Sequence, residues 1–293
     1  MTRIWCGVVV LLLWTTVPGR DSVVLVEEDG GYKNLVVAID KSVPEDPRLI
    51  TAIKRDVCSG DVHQRLCLPL QSNKEESILP RGDHLTAQNL VIQTGIFARC
   101  RRHVRFRRVD QPNPNFGHDP YTLQPGGCGD PGLYVHFTPD FILGSFNRSM
   151  GNIGIAGRQV VHEWAHLRYG VFDEYGIPGD SQYPAFYMED EESKWMRPTT
   201  CNNKIPGWLE GDCAILGNGM VGPKCKFIPD PKTKARASIM YTPDIQMVDS
   251  FCEDSEGPLE HNILAPTKQN SRCNYKSTWT IISRHQDFTK LRR

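Results

Sequence analysis

Apolar residues keep a clear period in two parts of this chain and lose it between them. Leu35-Val36-Val37-Ala38-Ile39 is a β-rich run that stops at Asp40. Ser42 with Glu45 three residues on forms a capping box, so a strand is predicted to hand over to a helix. In that helix Leu49, Ile50, Ile53 and Val57 recur at three- and four-residue spacing, a stripe that faces a sheet. A second strand alternates through Leu133-Tyr134-Val135-His136-Phe137. A turn at Thr138-Pro139-Asp140 follows, and then a glycine-rich loop from Gly144 to Gly157. From about Val57 to Arg108 neither a two-residue nor a 3.6-residue period is present. That stretch ends in an arginine run (Arg99, Arg101, Arg102, Arg105, Arg107, Arg108), which reads as a solvated loop, with a polyanion patch as the functional alternative. Arg81-Gly82-Asp83 in the same stretch has the form of an integrin tripeptide, a triplet common by chance. Beyond Asp173 the chain is loop-rich. Its acidic run Glu189-Asp190-Glu191-Glu192 reads as a solvated face, because the spacing of a calcium loop is absent.

Composition narrows the setting. The 293 residues carry 34 basic and 34 acidic side chains, so no global field draws the chain to nucleic acid or anionic lipid. Met1 to Gly19 has the form of a secretory signal, with Arg3 ahead of the apolar run Ile4 to Trp14 and a small-residue exit at Val17-Pro18-Gly19. No later stretch approaches eighteen consecutive apolar residues, so no transmembrane helix is expected, and the product is expected to be secreted and extracellular. In an oxidising compartment the six cysteines Cys128, Cys201, Cys213, Cys225, Cys252 and Cys273 are expected to form three disulfides. Cys58, Cys67 and Cys100 lie in the aperiodic stretch. Asn147-Arg148-Ser149 is the one N-x-S/T sequon, a candidate glycan site on a surface loop.

The chemistry concentrates in one segment. His162, Glu163 and His166 spell HExxH. On a helix, positions i and i+4 share a face, so two imidazoles can converge on one zinc ion while the adjacent Glu163 reaches its water. Gly170 stands where a left-handed cap stops such a helix, and Asp173 follows at the end of the turn that the glycine permits. This is the logic of the metzincin signature HExxHxxGxxH, with one extra residue before the glycine and Asp in place of the third histidine. Glu174 competes as third ligand. Successive side chains of an extended turn alternate in direction, so one of the pair faces the metal, and Asp173 is favoured. Met240 in Ser238-Ile239-Met240-Tyr241 has the look of a Met-turn, the apolar floor beneath such a site. Zinc held by three side chains keeps a fourth position for water, with Glu163 as general base toward a peptide bond.

These residues carry a resemblance. HEWAHLRYGVFDEY is similar to the HEWAHLRWGVFDEY block of the calcium-activated chloride channel regulator (CLCA) family. GYKNLVVAIDKSVPED, DPYTLQPGGCGDPGLYVHFTPDFI, KARASIMYTPDIQMVDSFC and APTKQNSRCNYKSTWTIISRHQDF agree in order. The resemblance implies an α/β (α+β), metzincin-like zinc metalloprotease domain with a mixed sheet, an active-site helix and a disulfide-rich extension. That domain sits in a larger protein that cleaves itself and modulates an epithelial calcium-activated chloride channel. By position in the motif His162, His166 and Asp173 match the zinc ligands, Glu163 the acid/base and Met240 the Met-turn. The expected layout is a signal peptide at 1–19, a catalytic domain at 20–198 and a cysteine-rich extension at 199–293 that includes the Met-turn. Residues 57–108 do not resemble the family, and the chain stops where family members continue into a von Willebrand A domain. A truncated isoform, or a non-catalytic regulator that binds the channel, is the alternative to a peptidase.

Overall fold

A computed structural model describes residues 24–26, 31–33, 35–39, 43–44, 46–58, 85–87, 90–94, 106–109, 114, 116–147, 153–189, 196–214, 221–222 and 224–289. The strands are β1 (Val24–Val26), β2 (Gly31–Lys33), β3 (Leu35–Ile39), β4 (Leu85–Ala87), β5 (Leu90–Thr94), β6 (Phe106–Val109), β7 (Tyr121–Leu123), β8 (Tyr134–Phe137), β9 (Phe186–Tyr187), β10 (Arg197–Pro198), β11 (Gly207–Glu210) and β12 (Lys226–Pro229). The helices are α1 (Pro47–Cys58), α2 (Pro139–Asn147), α3 (Ile153–Tyr169), α4 (Lys268–Arg272), α5 (Thr278–Ser283) and α6 (Gln286–Thr289). The signal-like segment, the Arg81-Gly82-Asp83 triplet, Cys67 and Cys100 lie outside the described residues.

Six strands form one sheet in the order β4-β5-β3-β6-β8-β7, and β1-β2, β9-β10 and β11-β12 are separate two-stranded pairs. β5, β3, β6 and β8 run parallel, while β4 and β7 run antiparallel at the two edges. Helices and a mixed sheet are thus joined in an α+β arrangement with disulfides. Of the stripe predicted for the first helix, Leu49 and Ile53 are buried, with Ala52 between them. The helix starts later than the capping box implied. The Asp46 carboxylate accepts the Arg48 backbone N–H at 2.9 Å, and Pro47, which has no N–H to lose, occupies the first helical position.

Three expectations fail here. The arginine run is not simply a solvated loop, because β6 lies within it, paired to β3 on one side and β8 on the other. Arg107 stands opposite Val37 and Val135, and Arg108 opposite Ala38 and His136. The aperiodic stretch as a whole contributes β4, β5 and β6, and strands of three to five residues are too short to display a period. The turn after β8 is instead the start of helix α2, and within the expected glycine-rich loop residues 144–147 belong to α2 and 153–157 to α3. The Thr138 hydroxyl accepts the Phe141 N–H at 3.1 Å, Pro139 is the first helical residue and Asp140 lies in the first turn, so the supposed turn is a helix start. Asn147 is the last residue of α2, not part of a loop.

Two disulfides form where three were expected. Cys128–Cys273 joins the segment before β8 to the end of α4, and Cys213–Cys225 closes the β11–β12 hairpin. The first bridges residues 145 apart, worth about 5 kcal/mol of unfolded-chain entropy on the loop-closure model. Cys201 and Cys252 are free and buried. The Cys252 thiol donates to the Cys201 carbonyl oxygen at 3.2 Å instead of bonding to its sulfur.

The larger of two hydrophobic clusters among the described residues joins both ends of the chain. Ile39 of β3, Leu49 and Ile53 of α1, Val135 and Phe137 of β8 and Trp164 and Leu167 of α3 pack with Ile239, Met240, Val248, Phe251 and Ile282 from the far end of the chain. The cysteine-rich part therefore enters the core itself. Arg168 of α3 reinforces the junction, its Nε donating to Asp287 Oδ2 of α6 at 2.8 Å with both side chains buried. Among the described residues no helix is long and apolar enough to cross a membrane.

Candidate metal centre

The second half of α3 is buried on nearly every side, as Val160, Val161, Trp164, Ala165 and Leu167 show. A helix so enclosed presents its polar residues to a constructed site and not to bulk water. The helix ends at Tyr169, and Gly170 follows at φ +65°. A Cβ there would lie 2.3 Å from the Asp130 carbonyl oxygen, so the position needs glycine for both conformation and space. The Gly170 N–H donates to the His166 carbonyl at 3.3 Å, closing the last turn, and the chain doubles back toward the helix.

That return brings Asp173, and not Glu174, to the two histidines. Asp173 Oδ1 lies 3.2 Å from His162 Nε2 and 3.2 Å from His166 Nε2, and the two Nε2 atoms are 3.1 Å apart. His162 Nδ1 is 2.9 Å from the Ile239 carbonyl, and His166 Nδ1 is 2.7 Å from the Val171 carbonyl. A carbonyl only accepts, so each Nδ1 carries a hydrogen, and Nε2 is the ring atom left to take a proton or a metal ion. Three polar atoms in so tight a triangle share either protons or a metal cation. A tetrahedral zinc ion with bonds of about 2.0–2.1 Å spaces its donors roughly 3.3 Å apart, close to this triangle. His162, His166 and Asp173 thus form a group able to hold a metal ion.

The charges around the triangle agree. Burial disfavours the His162 imidazolium, but Asp173 and Glu163 outweigh it and lift the imidazole to about 9. Burial likewise works against the Asp173 carboxylate, yet the two histidines hold it well below the usual carboxylate range. Glu163 moves the other way, its carboxyl raised by burial. Its Oε2 accepts from the Thr122 hydroxyl of the edge strand β7 at 2.6 Å.

Met240 is fully buried in the core that also holds Val161 and Ala165. Its turn is tied by Ser238, whose hydroxyl accepts the Met240 N–H at 3.0 Å. The turn holds the site twice: Ile239 offers its carbonyl to His162, and the Met240 carbonyl accepts the Glu174 N–H at 3.0 Å.

Two neighbours escaped sequence reasoning. Thr122 lies in a three-residue strand whose pattern says nothing of Glu163. Tyr175 hydrogen-bonds Asp173 through its hydroxyl, and burial, Asp173 and Glu163 push that phenol well above its ordinary range. The alternation that separates Asp173 from Glu174 also returns Tyr175 to the side of Asp173, so its place was legible.

The fold and this group define an α+β protein with a group able to hold a metal ion, built on a buried helix and a returning loop. The family model described as Calcium-activated chloride channel N terminal matches residues 104–293, and the chain belongs to that family. It is similar to calcium-activated chloride channel regulator 3A-1 of Mus musculus, 34% identical over 88% of this chain and 28% of that protein. Regulator 1 of Bos taurus is 32% identical over 96% of this chain and 31% of its own length, and regulator 4 of Homo sapiens is 33% identical over 89% and 28%. The chain spans about three tenths of the length of these curated relatives. The family model takes in only the end of the 57–108 stretch, while the alignment to the Bos taurus protein runs across it. No solved structure matches.

Proposed function

We propose that this chain is a secreted zinc metalloendopeptidase domain of metzincin-like build, acting on a peptide or protein substrate in the setting of calcium-activated chloride conductance. The observation that carries the reading is the triangle of His162, His166 and Asp173 acceptors with the Glu163 carboxyl on the same helix. The metzincin-like build draws support from the antiparallel edge strand β7 along α3, the Gly170 cap and the Met240 turn. In this reading residues 20–198 carry the sheet and the catalytic helix, and 199–293 supply the floor and the disulfides.

His162, His166 and Asp173 would hold the zinc ion, and their donor set suits it. When bound, zinc supplies a Lewis acid for the scissile carbonyl and a water acidic enough to ionise near neutral pH. Glu163 would accept a proton from an attacking water and pass it to the leaving amine, and burial, which raises its carboxyl, makes it the stronger base. Thr122 fixes one carboxylate oxygen, which leaves the other to move the proton. Tyr175 donates its hydroxyl to Asp173 and so orients that carboxylate.

Glu163→Gln tests the reading. It should keep about one zinc per chain at this centre and lose peptidase activity by about 10²–10⁴-fold. Zinc bound to a wild-type chain with no peptidase activity on any denatured protein would sink it. The relatives' names favour a second reading, a non-catalytic channel regulator in which zinc serves the fold. Modulation of chloride current that is unchanged in Glu163→Gln supports that one.

A further inference from the structure

Glu174 points away from the triangle into a second cluster. Its carboxylate oxygen and the Cys201 and Cys252 sulfurs all lie within 4.8 Å of one another. His261 joins them, with Nδ1 3.3 Å from Glu174 Oε1 and its side chain beside the Cys252 thiol. Glu174, Cys201 and Cys252 are wholly buried and His261 nearly so.

From this geometry we propose that Glu174, Cys201, Cys252 and His261 form a second metal site, a closed structural one for zinc or a similar thiophilic divalent ion. The donor set is two sulfurs, one imidazole and one carboxylate, four ligands in all, which is the count of a closed tetrahedral zinc site. A zinc tetrahedron with bonds of about 2.0–2.3 Å spaces its donors roughly 3.3–3.8 Å apart, a slight contraction of the present cluster. Both thiols are free in a chain that joins four other cysteines as disulfides.

The outer contacts already orient the ligands. Asn270 donates its amide hydrogens to the Asn262 carbonyl at 2.9 Å and the Ala265 carbonyl at 2.8 Å, so its oxygen faces His261 as an acceptor. His261 Nε2 donates to that oxygen at 2.6 Å, which leaves Nδ1 of the neutral ring as a lone pair directed at the cluster. Thr278 donates to Glu174 Oε2 at 3.4 Å, which leaves Oε1 for the same point. Neither Glu174 Oε1 nor His261 Nδ1 makes a hydrogen bond, although both are buried. At 3.3 Å inside a protein the two atoms require a positive charge between them, a proton on Nδ1 or a metal ion bound by both. An ion there would clamp the loop after α3, the Cys201 loop and the Cys252–His261 segment together, beside the Met240 turn to which the Glu174 N–H is bonded.

Cobalt(II) added to the metal-depleted full chain reads this site separately from the first, since thiolate-to-cobalt charge transfer gives a near-ultraviolet band that imidazole and carboxylate donors alone do not. The expected result is that band at about one cobalt per chain, with about two ions per chain in total. A band with one ion in total keeps this site and removes the ion proposed for His162, His166 and Asp173. Cys201→Ser combined with Cys252→Ser should abolish the band and lower the count by about one. Because that variant risks misfolding, the folded wild-type chain is also titrated with a thiol reagent without denaturant, where bound zinc should slow the reaction of two thiols until a chelator is added. A Cys201–Cys252 disulfide in a non-reducing peptide map, the absence of a thiolate band, or thiols that react alike with and without zinc overturns the site.

Discussion

Asp173 and Glu174 are adjacent in the chain and serve two different clusters. The Asp173 carboxylate, about a quarter exposed, faces two imidazoles beside the partly exposed Tyr175. The Glu174 carboxylate is fully enclosed among two thiols and an imidazole. The first cluster offers only nitrogen and oxygen donors and keeps a route to solvent, as a site that handles substrate must. The second has sulfur donors and no opening, which suits a staple. One reversal of side-chain direction in an extended turn thus separates chemistry from scaffolding.

Substituting the two neighbours in turn is the sharpest way to break this division. Asp173→Ala should lower metal affinity at the open cluster by at least about 100-fold and abolish activity, with little change in melting temperature, because the side chain lies at the mouth of the site. Glu174→Gln should do the reverse, costing about 1–3 kcal/mol in unfolding free energy while the open cluster still takes up its ion. Calorimetry and metal analysis on both variants decide the matter. A collapse of the Asp173→Ala fold, or loss of the open cluster's ion in Glu174→Gln alone, removes the distinction.

The open cluster was readable because each of its rules is local. Helical spacing put His162 and His166 on one face, and the positive φ of Gly170 was implied by a glycine at a helix end. The closed cluster was not, since Glu174, Cys201, Cys252 and His261 come from separate segments and no spacing links them. Counting six cysteines implied three bridges. A count cannot see that the Cys252 thiol turns to a backbone oxygen and lies beside His261. The fold was legible in the same measure. The Leu49 and Ile53 stripe announced α1, whereas β6 carries Arg107 and Arg108 into the middle of a sheet, where composition argues for solvent. Helix α2 was hidden by a sequence whose Thr-Pro-Asp start serves equally for a turn.

Both clusters lean on the docking of the C-terminal helices, and acid tests whether that scaffold is shared. Burial opposes the Asp287 carboxylate, yet hydrogen bonds from His285 and Arg168 hold it well below the usual range. Its folded value is the lower one, so its contribution to stability is complete above the ordinary aspartate range of about pH 4 and fades as pH falls below it. Asp287→Asn leaves Arg168 buried without its counter-charge and should cost about 3–5 kcal/mol at neutral pH. It should also flatten the acid limb of stability. Denaturant unfolding from pH 7 to pH 3 measures both. A loss confined to the open cluster would show that the closed one stands without α6.

The smallest expected effect sharpens the role of Glu163. Burial raises its carboxyl, and the 2.6 Å hydrogen bond from Thr122 works against that rise by favouring the ionised form. Thr122→Val keeps the shape and removes the donor, so the carboxyl moves further upward. A general base must be ionised to act, so the acid limb of kcat/KM should shift to higher pH, with a loss of under about tenfold at neutral pH. The closed cluster does not touch Thr122, so metal content and melting temperature should stay put. An acid limb that moves downward, or does not move, would mean that the proton taken up in that range belongs to a group other than Glu163.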